Sequence, residues 1–428
     1  MSTQSRSALV LAESVSKYID GKRLNELVMT LARIGGREDG GVSRETLTEV
    51  DLQARKYLCD FAQELGCEIY QDQCANLFFR KNGTEELDPV VTGSHIDTQP
   101  IGGKYDGAYG VVAGLEVLAA LNDAGITTRR PIEVAAWTNE EGGRFAPGAM
   151  GSSSFVYPEL LEGYRNSLDS KGTSFGSELN RALQANQGAK DRALAAPVTA
   201  YVELHIEQGP ILEQQECNLG IVEAVQGVRW FAVRCIGEMA HAGSTPMNSR
   251  KDAMSAAIAI VTRLHALASE FDLDGLRLTF GRWEVSPNSI NTIPGLVEFS
   301  IDARCISDDV LQGFELRLEE IVSGYNWGGQ VEVLRTFARA ATHFPEAMVD
   351  IVTEACRATT DRHGLKDPMR LPSGAFHDAM YLAAHCPTAM IFVPSKGGIS
   401  HNACEYTSPQ ELTYGAQALA YALVKLAS

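Results

Sequence analysis

The chain has 428 residues, enough for two domains, and its 45% hydrophobic and 21% charged content is that of a folded protein. A formal net charge of -17 leaves no basic stripe for nucleic acid, so an anionic ligand would need a locally placed arginine. Nine cysteines without CxxC spacing fit reduced thiols, and no run reaches the ~18 apolar residues that span a bilayer. With MSTQSRSALVLAES a poor signal peptide, a cytoplasmic protein with no membrane partner is expected.

In chain order, Val90, Val91 and Thr92 form a buried-strand pattern leading into His95. The turn-rich segment GGKYDGAYG follows and opens a helix with Val111, Leu115 and Leu118 on one face. Residues 132–138 (IEVAAWT) and 198–204 (VTAYVEL) read as further strands, predicting a mainly parallel sheet covered on both faces. The pattern then changes. Strands at 229–237, 277–285 and 297–304 alternate with helices at 252–269 and 308–325, as in a split-βαβ module. Helices near 345–363 and 408–427, with a strand at 388–393, return to the first style. The reading is an α/β chain: a catalytic domain at 1–222 and 331–428, interrupted by a smaller domain at 223–330.

Of nine histidines, His95, His205, His241, His377 and His401 sit in short polar motifs, whereas His265, His343, His363 and His385 receive no role. In GSHIDTQPIGGKYDG, His95 and Asp97 are two apart and point the same way on an extended chain. The Asp97 carboxylate is therefore expected to accept the imidazole N–H that faces away from a metal. Asp106, in a glycine-rich turn opening a helix, can offer two oxygens to two metals; a solvated turn with an incidental histidine would look alike. In TNEEGGRF, Glu140 and Glu141 are adjacent carboxylates at the end of an apolar strand, costly unless cations or a shared proton compensate. Neighbouring residues point different ways, which suits one ligand and one proton carrier. ELHIEQGP adds His205 at a strand end, and GGISHNACEYT adds His401 in a polar loop. Imidazoles and carboxylates without nearby thiolate fit Zn, Mn, Co or Ni. Two such ions sharing a carboxylate can polarise a carbonyl and orient a substrate.

The ordered set HIDT, YDG, NEEG, HIEQG and SHN, with AHAGSTPM and PNSINTIPG between, resembles the M20 metallopeptidase superfamily. Within it the match is to the amidase branch of N-carbamoyl-L-amino-acid hydrolases, β-ureidopropionases and allantoate amidohydrolases. HIEQGP marks that branch, because peptidase members usually carry a carboxylate where this chain has His205. The resemblance runs from about Gly36 to the C-terminus and implies an αβα-sandwich catalytic domain with an inserted ferredoxin-like lid and dimerisation domain. It implies two divalent ions, one held by His95, Asp106 and His205, the other by Asp106, Glu141 and His401. Glu140 would be the general base that takes the proton from the attacking water and passes it to the leaving nitrogen, and Asp97 would orient His95. From the inserted domain, His241 would support the tetrahedral oxyanion, while Asn291 and Arg304 would grip the substrate carboxylate and Gln208 would line the pocket.

A guanidinium forks onto a carboxylate in a way lysine cannot match, although Asp302, on the same strand face as Arg304, offers a structural ion pair instead. One segment departs from the family. SGAFHDA stands where GAGHDA is common, so Phe376 precedes His377 and its ring would reshape the substrate site. His377 is expected either to bind substrate or to pack structurally. The implied reaction is hydrolysis of the ureido bond of a small carboxylate-bearing molecule, by a homodimer. Allantoate or ureidoglycolate hydrolysis, dipeptidase or deacylase activity, and a catalytically inert ligand-sensing relative are the competing readings.

Overall fold

A computed structural model describes residues 3–186, 188–270 and 275–428, which form two compact units. The first comprises residues 1–223 and 344–428, and the second residues 224–343.

At the centre of the first unit, Thr388–Val393, Ala200–Ile206, Val90–His95 and Ile132–Trp137 lie side by side, all parallel. Every residue of these four strands is buried. Successive side chains point to opposite faces, so burial without alternation means that both faces are covered. The flanks differ from the expected parallel sheet. Leu77–Lys81 and Glu68–Gln71 continue one side antiparallel, and Gly220–Val225 joins the other side antiparallel. The helix Ala108–Ala124 packs on the central strands and is buried nearly all round, because the helices Gly21–Arg33 and Pro409–Ala427 cover its outer side. The last of these starts with a capping box: the Ser408 hydroxyl accepts from the Glu411 N–H while the Glu411 carboxylate accepts from Ser408. A cap of this kind is worth about 1 kcal/mol.

The second unit is an antiparallel sheet in the order Gln330–Arg339, Gly227–Ile236, Leu296–Cys305, with Arg277–Thr279 and Trp283–Ser286 both pairing to the last. With the helices Ala253–Glu270 and Asp308–Ser323 inserted between strands, this is the ferredoxin-like arrangement. Leu296–Cys305 alternates half-buried and buried residues, placing Val297, Phe299, Ile301 and Ala303 in a core with Leu264, Phe314 and Leu318. Two details depart from the sequence reading. The stretch 277–285 is two short strands, and the expected boundary at 330 falls too early. Gln330–Arg339 pairs along its length with Gly227–Ile236, and this backbone ladder ties it to the second unit.

Candidate metal centre

The four parallel strands all deliver chemistry at their carboxyl ends, the edge where open α/β sheets place ligands. Val90–His95 finishes on His95, and Ile132–Trp137 runs into Thr138, Asn139, Glu140 and Glu141. Ala200–Ile206 carries His205 and leads to Gln208, while Thr388–Val393 leads to the loop of Ser400 and His401.

Main-chain carbonyls set the two buried imidazoles. His95 Nδ1 lies 2.9 Å from the Asp97 carbonyl oxygen, and His205 Nδ1 lies 2.8 Å from that of Ile206. A carbonyl only accepts, so in each neutral ring Nδ1 carries the hydrogen and Nε2 presents a lone pair. The Gly107 N–H, 3.1 Å from His205 Nε2, agrees with that tautomer. Both lone pairs look toward Asp106, whose Oδ1 is 3.7 Å from His95 Nε2 and 3.2 Å from His205 Nε2. The other oxygen of Asp106 faces elsewhere: His401 Nε2 is 3.2 Å from Asp106 Oδ2 and 3.2 Å from Glu141 Oε2. One carboxylate thus serves two clusters. Ligand atoms of His95, Asp106 and His205 lie within 4.8 Å of one another, as do those of Asp106, Glu141 and His401.

Local backbone choices make this possible. Gly107 takes φ +60, and a Cβ there would sit 2.3 Å from His95 Nε2, so the turn that presents Asp106 accepts only glycine. His401 itself takes φ 52 without being glycine, a strained geometry of the kind that functional loops retain. Gln99 fixes Glu141: its main-chain N–H donates to Oε1 at 3.2 Å and its side-chain amide to Oε2 at 2.9 Å. Glu140 belongs to neither cluster; its Oε2 is 3.5 Å from His95 Nε2, and burial pushes its pKa well above the usual range.

The expected job of Asp97 is corrected. Its main-chain oxygen, not its carboxylate, takes the His95 N–H; the carboxylate oxygen is 3.9 Å from Nδ1. That carboxylate instead accepts the main-chain N–H groups of Glu140 at 3.2 Å and Glu141 at 3.3 Å. Asp97 therefore shapes the turn that aims the two glutamates.

Two residues that sequence reasoning left without a role hold the site from behind. Arg44, buried, donates to the carbonyls of Ile96, Leu31 and Ile34, bracing the chain just after His95. Nothing in GVSRETLTEV signals this. Glu405, buried in the same motif as His401, accepts from the main-chain N–H groups of Tyr105 at 2.8 Å and Asp106 at 3.1 Å. Burial and the nearby Asp106 push its carboxyl up to about 7. Its spacing of four residues from His401 was the available signal.

Gln208 donates to Asp106 Oδ2 at 2.8 Å, and its Oε1 is buried without a hydrogen-bond partner. His377 is buried with its ring 4.6 Å from that of His205, edge to face, and its Nε2 is 2.8 Å from Ser373 Oγ. Phe376 beside it is half-buried.

The remaining candidates lie in the second unit. Ala240–His241 pairs with Thr292–Ile293, so His241 and Asn291 share one small ribbon, and both are exposed. His241 Nδ1 accepts from the N–H groups of Gly243 at 3.1 Å and Ser244 at 3.2 Å, which leaves the hydrogen on Nε2. Arg304 stands apart in the five-stranded sheet, where Asp302 engages its Nε at 3.0 Å and a terminal nitrogen at 2.9 Å.

The donor set fits divalent metal. Asp97 and Asp106 are buried, Glu140 and Glu141 are half-buried beside them with nitrogen and oxygen donors around, and carboxylates so gathered call for cationic charge.

The family model for Peptidase family M20/M25/M40 matches residues 91–425. An N-carbamoyl-L-amino-acid amidohydrolase of Rhizobium meliloti is 37% identical over 422 residues, 97% of this chain and 99% of the relative. An allantoate amidohydrolase of Bacillus subtilis is 35% identical over 99% of both chains. The crystal structure of a hydantoinase/carbamoylase family amidase from Burkholderia multivorans superposes with a TM-score of 0.87 at 40% identity, covering 96% of this chain and 98% of that one. The chain belongs to the M20 peptidase family, in its hydantoinase/carbamoylase amidase branch, and is an amidohydrolase.

Proposed function

We propose that the protein hydrolyses the ureido C–N bond of an N-carbamoyl amino acid, giving the amino acid, carbon dioxide and ammonia, with two divalent ions (Zn, Mn, Co or Ni) in the centre. The observation that carries the reading is Asp106, whose two oxygens face two separate groups of ligand atoms while Glu140 stands beside them outside both. His95, Asp106 and His205 would hold one ion, and Asp106, Glu141 and His401 the other. The ions would supply Lewis acidity to the ureido carbonyl. Glu140, kept out of ligation and poised by burial to hold a proton, would take that proton from water and hand it to the leaving nitrogen. Asp97 would keep Glu140 aimed through its main-chain N–H.

His241, with its hydrogen on Nε2, is suited to donate to the oxyanion, and Asn291, Arg304, Gln208 and His377 complete the proposed substrate contacts. The substrate is a small carboxylate-bearing molecule, and the working assembly is a homodimer. The inserted unit at residues 224–343 would serve as lid and dimerisation domain.

The likeness to the Bacillus subtilis allantoate amidohydrolase, 35% against 37% for the carbamoylase of Rhizobium meliloti, supports a second reading in which allantoate is the substrate. Turnover measured on a panel of N-carbamoyl-L-amino acids, allantoate, ureidoglycolate and dipeptides tests both. Preference for an N-carbamoyl amino acid is expected. A preference for allantoate establishes the second reading, and turnover of dipeptides alone contradicts both.

A further inference from the structure

Ser400 has one hydroxyl proton and two carboxylate oxygens competing for it: Glu405 Oε2 at 2.8 Å and Asp106 Oδ2 at 3.0 Å. A carboxylate oxygen offers about two lone-pair positions. On Asp106 Oδ2 one of them is taken by the Gln208 amide at 2.8 Å, which also reaches Ser400 Oγ at 3.3 Å. The remaining position is open either to the Ser400 proton or to a cation shared with His401 Nε2, 3.2 Å away.

We propose that Glu405 is a positioning residue that draws the Ser400 proton onto itself and so keeps Asp106 Oδ2 available to metal at the position shared with Glu141 and His401. The geometry is built for this. Glu405 Oε1 is anchored by the N–H groups of Tyr105 and Asp106, so Oε2 is turned toward Ser400 and cannot swing away without breaking both bonds. Gly103 gives the carboxyl room, since a Cβ there would lie 2.0 Å from it. Glu405 and Asp106 are 299 residues apart in sequence, so the same carboxylate also fastens the loop carrying His401 to the turn carrying Asp106.

The inference rests on the dinuclear reading. In Glu405→Gln the amide keeps an oxygen for the two N–H groups but donates to Ser400, whose own proton must then go to Asp106 Oδ2. One of two metal-binding steps should weaken by about 10–100-fold, the range typical of groups that orient metal ligands, while the other changes little. Removing the contested proton should reverse the loss, so Glu405→Gln with Ser400→Ala should bind that ion more tightly than Glu405→Gln alone. A merely structural Glu405 would make the two losses add.

The test is a titration of metal-free protein with Mn or Zn against a competing chelator, with the melting temperature of each metal-free variant recorded. Two binding steps in the parent, one selectively weakened in Glu405→Gln and recovered in the double variant, support the proposal. An unchanged Glu405→Gln, or a double variant weaker than Glu405→Gln, overturns it. If Glu405→Gln does not fold, Ser400→Ala in the parent carries the test: metal affinity equal to or above the parent's agrees, and a tenfold loss contradicts. A parent that binds no metal overturns the dinuclear reading, and this inference with it.

Discussion

The candidate residues of the two units are held in opposite ways. In the first unit His95 and His205 are buried, each with one ring nitrogen committed to a carbonyl, and Asp106 is surrounded by donors. Their orientation and tautomer can be read from bonds already in place. In the second unit His241 and Asn291 are exposed on a two-stranded ribbon, and Arg304 is engaged by Asp302. There the local structure fixes a tautomer or an ion pair and leaves the partner undefined. Preorganised donors favour metal binding, whereas groups that meet a substrate can stay in solvent until it binds.

The largest effects should come from the first unit. Glu140→Gln should lower kcat by about 10²–10⁴-fold, the usual contribution of a general base, and leave metal content intact. Glu141→Gln should instead lose metal, because Glu141 faces His401 in one of the two ligand groups. Elemental analysis beside kinetics separates the two; metal loss in the first and not the second means the roles are reversed. Next should be His241→Ala, with a kcat loss of about 10²–10³-fold if it supports the oxyanion. Its melting temperature should move little, since the side chain is exposed and gives up only two solvent-exposed hydrogen bonds to Gly243 and Ser244. A lowered melting temperature with unchanged kcat would assign it to structure.

Arg304→Lys separates a substrate contact from an ion pair. A carboxylate clamp should lose affinity for the natural substrate and matter little for an analogue bearing an amide in place of the carboxylate, which KM for the two compounds would reveal. Equal damage to both points to the Asp302 pair as the residue's main task. The smallest effect in this series is expected of Asp97→Asn. The amide oxygen can still accept one N–H of the Glu140 and Glu141 turn, so kcat per bound ion should fall by less than in Glu140→Gln, as kinetics beside elemental analysis would show. An unchanged kcat per bound ion would contradict the part given to Asp97 in aiming Glu140.

The central fold was legible because its signals are local and strong. Apolar runs ending in polar motifs mark the four parallel strands, and the alternation in VEFSIDAR marks the insert's sheet. The antiparallel flanks and the late boundary of the insert were not legible, since both are decided by which strand pairs with which. The five metal-ligand candidates stood out in the sequence because each lies at a strand end or in a short polar loop, and the structure gathers them into two groups. Asp97 misled because the strand ends at His95, so the two-residue spacing no longer aligns the side chains and the carbonyl of Asp97 reaches the His95 ring instead. Arg44 was out of reach, because its partners are carbonyls, and carbonyls leave no mark on a sequence.

The most direct measurement is turnover of an N-carbamoyl-L-amino acid as metal is returned to chelator-stripped protein, with bound metal counted in parallel. Activity should be absent in the stripped protein and rise as Mn, Co, Ni or Zn is added, reaching its plateau at two ions per chain. Full turnover in rigorously metal-free protein would contradict the account.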